Sequence, residues 1–383
     1  MKILMISYDY AGSASGIISR RVAEELVAQG QQVKVICRNI APTPDSAVEV
    51  HSVNSLLGGN AFVSRIINRL KRCRSSYFYN ALWVRSAIRY GRKLCHEWQP
   101  DIIYCRTSPE EACYVGTKLH NKWGAKLVQH FSDPVPAPVE YEPLSRRRTT
   151  LLKRMVKVIN KADMVSYGNE AMLRYVIEQS GYDFSSKAFI SPDAAESAVP
   201  HHYNFVERKD IRLTYLGNIY GSRNPQPLFE AIESLNANGA HIHLDIYSPQ
   251  PSKESQHYRF VEYKGRTSNV WKAMEQSDIL VDLDGDDSTP VFISSKLKDY
   301  LLLNRPILSI TPNNSPSEQL LKGVDSAVVT RNSKEEIAHS LDQILSSDYK
   351  NLTYNDRTAL ISLFDPKVVV ADLLTIFDSI TKR

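Results

Sequence analysis

The stretch KILMISYDYAGSASGIISRRVAEELVAQGQQVKVICR, residues 2–38, decides the fold. KILMISY (2–8) is a short apolar run. In GIISRRVAEELVAQG (16–30), Ile18, Val22 and Leu26 recur at helical spacing, and Gly30 is placed to end the helix. VKVICR (33–38) is a second apolar run. Strand, loop, helix and strand in so short a span make a βαβ unit, with parallel strands and a right-handed crossover.

The alternation continues outward. DIIYCR (101–106), a helix over about 109–123 stopped at Gly124, and AKLVQHF (125–131) extend it, and MVSYG (164–168) and KAFISP (187–192) add two strands around another helix. Residues 1–195 are therefore expected to form a doubly wound α/β domain. DAAESAVPHHYNFVERKD (193–210) has neither period and contains Pro200, so 196–209 is predicted as a linker. A second alternation comes after it: RLTYLGN (212–218), a helix over 225–237, HIHLDIY (241–247), RFVEYKG (259–265), a helix ending at Ser277, DILVDL (278–283), PILSI (306–310), AVVT (327–330) and two closing helices. This predicts a second domain over 210–364. Two such domains are expected to face a central cleft, a favoured place for a ligand that touches both.

At 383 residues the chain is long enough for two or three domains, and 43% hydrophobic with 23% charged residues fits a globular protein. No apolar run approaches the roughly 20 residues of a membrane span, and Met1-Lys2 leads straight into ILMIS, so a cytoplasmic location is expected. Cys37, Cys73, Cys95, Cys105 and Cys113 show no paired spacing and read as reduced thiols rather than a metal site or disulfide framework.

The net charge is +5, but its placement is uneven. From His51 to His96 there is no acid, while Arg65, Arg69, Lys71, Arg72, Arg74, Arg85, Arg89, Arg92 and Lys93 interleave with aromatics such as Trp83. A second cluster lies at Arg146, Arg147, Arg148, Lys153, Arg154 and Lys157. Solvated basic helices, nucleic acid and an anionic membrane surface all fit such a composition. The aromatic interleaving favours peripheral contact with the membrane's inner face, through Arg65, Arg69, Arg72, Arg74 and Trp83, over nucleic acid.

Ligands of open parallel sheets sit beyond the carboxyl ends of the strands, which singles out four loops. YDYAGSASG (8–16) has Gly12 and Gly16 before a helix, a place for an anion or a plain turn, without the glycine spacing of a dinucleotide site. GNIYGSRN (217–224) puts Arg223 six residues after Gly217, where a guanidinium can clamp phosphate. QHFSDP (129–134) puts His130 at a strand end with Asp133 near it, suited to binding a sugar or moving a proton. SSKLKDYLLLNRPIL (294–308) reads as a helix with a buried body at Leu297, Tyr300, Leu301 and Leu303, capped by Ser294 or Ser295. Lys296 in its first turn would cost a few tenths to about 1 kcal/mol against the helix dipole unless an anion binds there.

MKILMISYDYAGSASGI, VQHFSDP, LTYLGNIYGSRNPQPLFEAI, VEYKGRTSNVWKAMEQSDILV and SSKLKDYLLLNRPIL resemble, in order and spacing, the retaining nucleotide-sugar glycosyltransferases of the GT-B fold, glycosyltransferase family four or glycosyltransferases group one. The resemblance covers nearly the whole chain and rests on the ordered combination rather than on one motif. It implies two Rossmann-like domains, the first binding acceptor and the second the nucleotide sugar, with FDPKVVVADLLTIFDSI (364–380) opening a last helix, within 365–383, that returns to the first domain.

The resemblance also implies roles. Arg223 and Lys296, with the backbone at Ser294, Ser295 and Leu297, would hold the donor diphosphate, and Asp299 would meet the ribose. Asn218 stands after Gly217 where relatives often carry arginine, and Val291 stands where the first acid of the paired-acid motif belongs, leaving Asp287 as its candidate. Lys264, Gly265, Arg266 and Thr267 would line the base, Gly16 would admit the diphosphate, and His130 would reach the donor sugar. Asp282-Leu283-Asp284 resembles a metal-binding DxD, but Asp282 is expected in or just past a buried strand and is not counted as a ligand. No cofactor or metal is expected. The implied activity is transfer of a sugar, with retention, from a nucleoside diphosphate sugar to a lipid-linked or polysaccharide acceptor of cell-surface glycan synthesis. A nucleotide-sugar 2-epimerase, a non-catalytic partner subunit and a dinucleotide-dependent oxidoreductase are the rival readings.

Overall fold

The structure, a computed structural model, describes residues 1–10, 13–40, 47–53, 80–107, 110–120, 123–138, 145–196, 200–206, 209–219, 221–248, 257–267, 269–285, 289–349 and 357–382. The chain divides into two compact units, Met1–Glu196 with Asp365–Arg383, and Ser197–Phe364.

The first unit begins with β1 (Lys2–Ser7), β2 (Asp9–Tyr10), α1 (Ala14–Ala28), β3 (Gln32–Cys37), β4 (Asn39–Ile40) and β5 (Glu49–Ser52). It continues with α2 (Ala81–Trp98), β6 (Ile102–Thr107), α3 (Glu111–His120), β7 (Lys126–Phe131), α4 (Arg146–Lys161), β8 (Met164–Tyr167), α5 (Glu170–Ser180) and β9 (Ala188–Ile190). Seven of these strands form one sheet in the order β5-β3-β1-β6-β7-β8-β9. Every pairing in it is parallel. Central strands of such a sheet are covered on both faces and read as continuous apolar runs. Ile3, Leu4, Met5 and Ile6 of β1 are accordingly all fully buried.

Helix α1 starts where Ser13 accepts a hydrogen bond from the Gly16 amide at 3.2 Å. Its Val22 and Leu26 pack with Ile3, Met5 and Tyr104. The C-terminal helix, Pro366–Thr381, closes the same core with Val370, Leu373, Phe377 and Ile380. The Phe377 ring meets Tyr104 edge-on, centroids 5.4 Å apart. Helices α2, α3 and α4 pack side by side, with α3 also against β6 and β7.

The second unit contains β10 (Ile211–Leu216), α6 (Gln226–Ala237), β11 (Ile242–Tyr247), β12 (Val261–Tyr263), α7 (Val270–Glu275) and β13 (Ile279–Leu283). It ends with α8 (Leu297–Tyr300), β14 (Ile307–Ile310), α9 (Pro316–Leu321), β15 (Ala327–Thr330), α10 (Lys334–Ser346) and α11 (Thr358–Leu363). Its six-stranded sheet runs β12-β11-β10-β13-β14-β15, again with parallel pairings.

Three expectations are corrected. The helix expected to run on from Lys296 is a single turn, Leu297–Tyr300, and Lys296 precedes it with no side-chain cap. Residues after it form tight turns around the deeply buried Arg357, which donates to the carbonyls of Tyr300, Leu303 and Arg305. Part of the expected linker is integral to the second unit, since His201 bridges Leu303 and the Tyr203 amide donates to Asn304 at 2.9 Å. Trp83, expected at a membrane surface, is 2% exposed and stands edge-on against Tyr8, centroids 4.9 Å apart.

Candidate functional site

Strands β10 and β13 are neighbours at the middle of the second sheet, and their carboxyl ends carry a concentration of charge. Lys296 is set in place by the turn on its C-terminal side. Leu297 and Tyr300 are fully buried, and the Tyr300 hydroxyl accepts from the Leu216 amide at 3.2 Å, tying the 297–300 turn to the end of β10. The Lys296 stem then lies across Gly217, where a Cβ would fall 2.3 Å from both Cε and Nζ. Gly217 has φ +150°, and its missing side chain is what makes room for the lysine. The ammonium stands 5.8 Å from the centre of the Tyr215 ring, a cation–π contact.

Arg223 joins it. Its guanidinium donates to the Asn218 carbonyl at 3.2 Å. Burial first, and then repulsion from Arg223, pull the Lys296 ammonium down to about 8. Asp282, Asp284 and Asp299 act in the opposite sense. Asp282 is fully buried in β13, and desolvation and Asp284 push its carboxyl up to about 7, against a hydrogen bond from Ser294. Asp284 is also held above its ordinary range, mainly by desolvation, while hydroxyls of Thr311 at 3.0 Å and Ser317 at 2.9 Å donate to it. Two cations thus converge above two acids whose ionisation is suppressed, an arrangement that an added anion would relieve.

The other expected residues are placed as follows. Ser294 is buried and bonded to Asp282 rather than capping the turn. Ser295 is exposed. The Leu297 amide donates to the Ser294 carbonyl at 3.2 Å, so it is already engaged. Asp299 is half-buried and within electrostatic reach of Lys296. Lys264 is engaged by Asp245 at 3.8 Å and by Glu262, which spends its charge between β11 and β12. Gly265 has φ +70°, Arg266 is exposed, and Thr267 bonds the backbone of Asn269, the residue before α7. This segment shares the carboxyl edge of the sheet with Lys296 but lies two strands away, about 10 Å at the usual strand spacing. Asp287, with Gly12, Arg65, Arg69, Arg72 and Arg74, lies outside the described residues.

Gly16, His130 and Asp133 belong to the first unit. Gly16 is in the first turn of α1, its amide taken by Ser13. His130 differs from expectation: its side chain is fully buried, with Nδ1 3.0 Å from the Ser166 hydroxyl and Nε2 3.6 Å from Asp193. Asp193 is held in turn by Arg106 at 2.9 Å, and Arg106 by the Tyr104 hydroxyl at 2.9 Å. The imidazole is enclosed by this network and presents no surface to a ligand. Asp133, three residues on, is exposed.

Sequence reasoning misses Tyr215 and Tyr300, which look like ordinary apolar positions of a strand and a buried helix face. Their hydroxyls and rings build the seat of Lys296. The one available signal is position: Tyr215 lies two residues before Gly217, and Tyr300 four after Lys296.

Two parallel α/β units of this kind, matched over the full chain, define the GT-B fold. A sucrose-phosphate synthase from Thermosynechococcus elongatus superposes with a TM-score of 0.71 at 12% identity, covering 100% of this chain and 99% of that one. A glycosyltransferase from Rickettsia africae gives 0.69 at 13%, with the same coverages. A UDP-N-acetylglucosamine 2-epimerase gives 0.58 at 11%, covering 98% and 94%. Residues 14–192 match the model of the glycosyl transferase 4-like domain. No curated protein sequence matches the chain.

Proposed function

We propose that the protein is a glycosyltransferase that moves a sugar from a nucleoside diphosphate sugar to an acceptor hydroxyl, with retention of configuration. The observation that carries the reading is that Lys296, lying over Gly217, and Arg223, bonded to the next residue's carbonyl, sit within electrostatic reach of one another, in a chain whose residues 14–192 match the glycosyl transferase 4-like domain. A leaving diphosphate gathers negative charge as the glycosidic bond breaks, and fixed cations beside it lower that barrier without reorganising. On this reading Lys296 and Arg223 offset the diphosphate charge without a metal ion, Asp299 meets the ribose, and Lys264 to Thr267 flank the base.

The acceptor is proposed to be a lipid-linked or polysaccharide intermediate met at an anionic membrane surface. No described helix is long and apolar enough to cross a membrane. Arg85, Arg89, Arg92 and Lys93 on α2, and Arg146, Arg147, Lys153 and Lys157 on α4, carry exposed or half-buried charge, and α3 connects the two helices in one layer. Arg148 is not part of this surface, being buried against Tyr175 and Gln179. Such a layer suits anionic headgroups.

A nucleotide-sugar 2-epimerase is the second reading, favoured by the epimerase likeness over nearly the whole chain. A thermal-shift panel of UDP, GDP and ADP sugars, followed by product analysis without acceptor, tests both. Stabilisation by a nucleotide sugar with only slow hydrolysis supports the transferase. Accumulation of an epimerised sugar nucleotide replaces it with the epimerase, and no stabilisation by any compound rejects both.

A further inference from the structure

Lys296 and Arg223 come to the proposed diphosphate site from different segments, one just before α8 and the other just before α6, and each repels the other. Two like charges stay together in an empty site only where fixed partners hold both of them. Tyr215, the penultimate residue of β10, is tied to both. Its side chain is 3% exposed and belongs to the same core as Leu228, Phe229 and Ile246, so the ring is firmly held. The Lys296 ammonium stands 5.8 Å from the centre of that ring. The Tyr215 hydroxyl donates to the Asn218 carbonyl at 3.1 Å. The same carbonyl accepts from the Arg223 guanidinium at 3.2 Å.

A carbonyl oxygen has two lone pairs, and these two donors occupy both. Residues 215 to 218 are thereby closed into a loop that contains Gly217, the residue under the Lys296 stem. A phenylalanine would fill the same core volume, so the hydroxyl answers to something other than packing. What it bonds is a carbonyl that also holds Arg223. A diphosphate carries its charge on two groups at a set separation, and cations fixed relative to one another meet it without reorganising.

We infer that Tyr215 is a positioning residue for the two cations, with its ring holding Lys296 and its hydroxyl, through the Asn218 carbonyl, holding Arg223; this rests on the transferase reading above. Tyr215 is assigned no contact with a reacting atom. The division of labour has a signature that a merely structural tyrosine lacks: each half of the side chain loses its effect when the cation it serves is removed.

The test measures UDP, GDP and ADP binding to the full chain by calorimetry, in three backgrounds: parent, Arg223→Ala and Lys296→Ala. Tyr215→Phe is expected to weaken binding of the preferred nucleotide by about fivefold in the parent, the size of one hydrogen bond. It should have no further effect with Arg223→Ala and its full effect with Lys296→Ala. Tyr215→Leu, which also removes the ring, should weaken binding by about threefold more. That added loss should vanish with Lys296→Ala and persist with Arg223→Ala. If Tyr215→Leu fails to fold, Tyr215→Phe carries the result, since it keeps the ring in the core. Tyr215→Phe binding as the parent does, or losing the same factor in every background, overturns the positioning role and leaves the transferase reading in place. A parent that binds none of the three nucleotides rejects that reading, and the positioning role with it.

Discussion

At the scale of single residues, Lys296 and Gly217 are one device. Adding a methyl group at residue 217 would place carbon inside the space of the lysine's Cε and Nζ. The lysine can rotate away, but φ +150° is strained for any residue with a Cβ, so Gly217→Ala is expected to cost about 1–3 kcal/mol of stability and also to weaken nucleoside diphosphate binding by roughly 1–2 kcal/mol, the size of a charge-assisted hydrogen bond. Calorimetry and a melting curve on the same variant check both halves. The pH dependence has a definite sign. The free ammonium loses its proton near pH 8, well below its ordinary 10.5, and a bound diphosphate would raise that value again. Binding should therefore take up protons, and affinity should fall as the pH rises through about 8. Measuring binding heats in buffers of different ionisation enthalpy reads the uptake directly; no proton uptake would contradict the assignment.

Lys296 also shows what the sequence can and cannot say at this scale. Its importance is legible from a charge at the front of an apolar stretch, but the reason is not. A helix dipole is the expected cause, and the helix is only one turn. The physical cause is tertiary: Tyr215 and Gly217 reach the lysine from β10 and the loop after it, and the suppressed acids from β13 and its end, with no local pattern to announce either. His130 is legible for the same kind of reason, as a polar residue ending a strand. Its enclosure by Asp193 and Arg106 depends on contacts no spacing encodes.

At the scale of elements, the strands and most helices follow from periodicity and glycine placement, because parallel strands buried on both faces must be apolar throughout. β5 escapes notice: Glu49–Ser52 is an edge strand of mixed polarity with no apolar run to mark it. The segment Leu297–Tyr300 fails in the other direction, since the leucines after it serve turns packed around Arg357 rather than a helix face. The C-terminal helix carries a prediction. Phe377 is fully buried against Tyr104 in the core of the first unit. Phe377→Ala is expected to destabilise that unit by about 3–5 kcal/mol, measured by urea denaturation, while the second unit's transition stays in place. An unchanged first transition would show that the helix does not close this core.

At the scale of the molecule, charge is divided by role. The basic layer of α2 and α4 belongs to the first unit, and the half-buried pair Lys296 and Arg223 to the second. Exposed charges act through a screened field. Replacing Arg85, Arg89, Arg146 and Arg147 by glutamate should reduce binding to anionic phosphatidylglycerol vesicles, with the difference shrinking as salt is raised. Equal sedimentation of mutant and parent with vesicles at low salt would reject the membrane role. The same four changes should leave nucleotide-induced stabilisation as it was.

Catalysis in this reading turns on a diphosphate held by Lys296 and Arg223, and a crystal structure with a bound nucleoside diphosphate tests that most directly. The expected result is phosphate oxygens within hydrogen-bonding distance of the Lys296 ammonium and the Arg223 guanidinium, above Gly217. Phosphates bound elsewhere, with the ammonium directed into solvent, would contradict it.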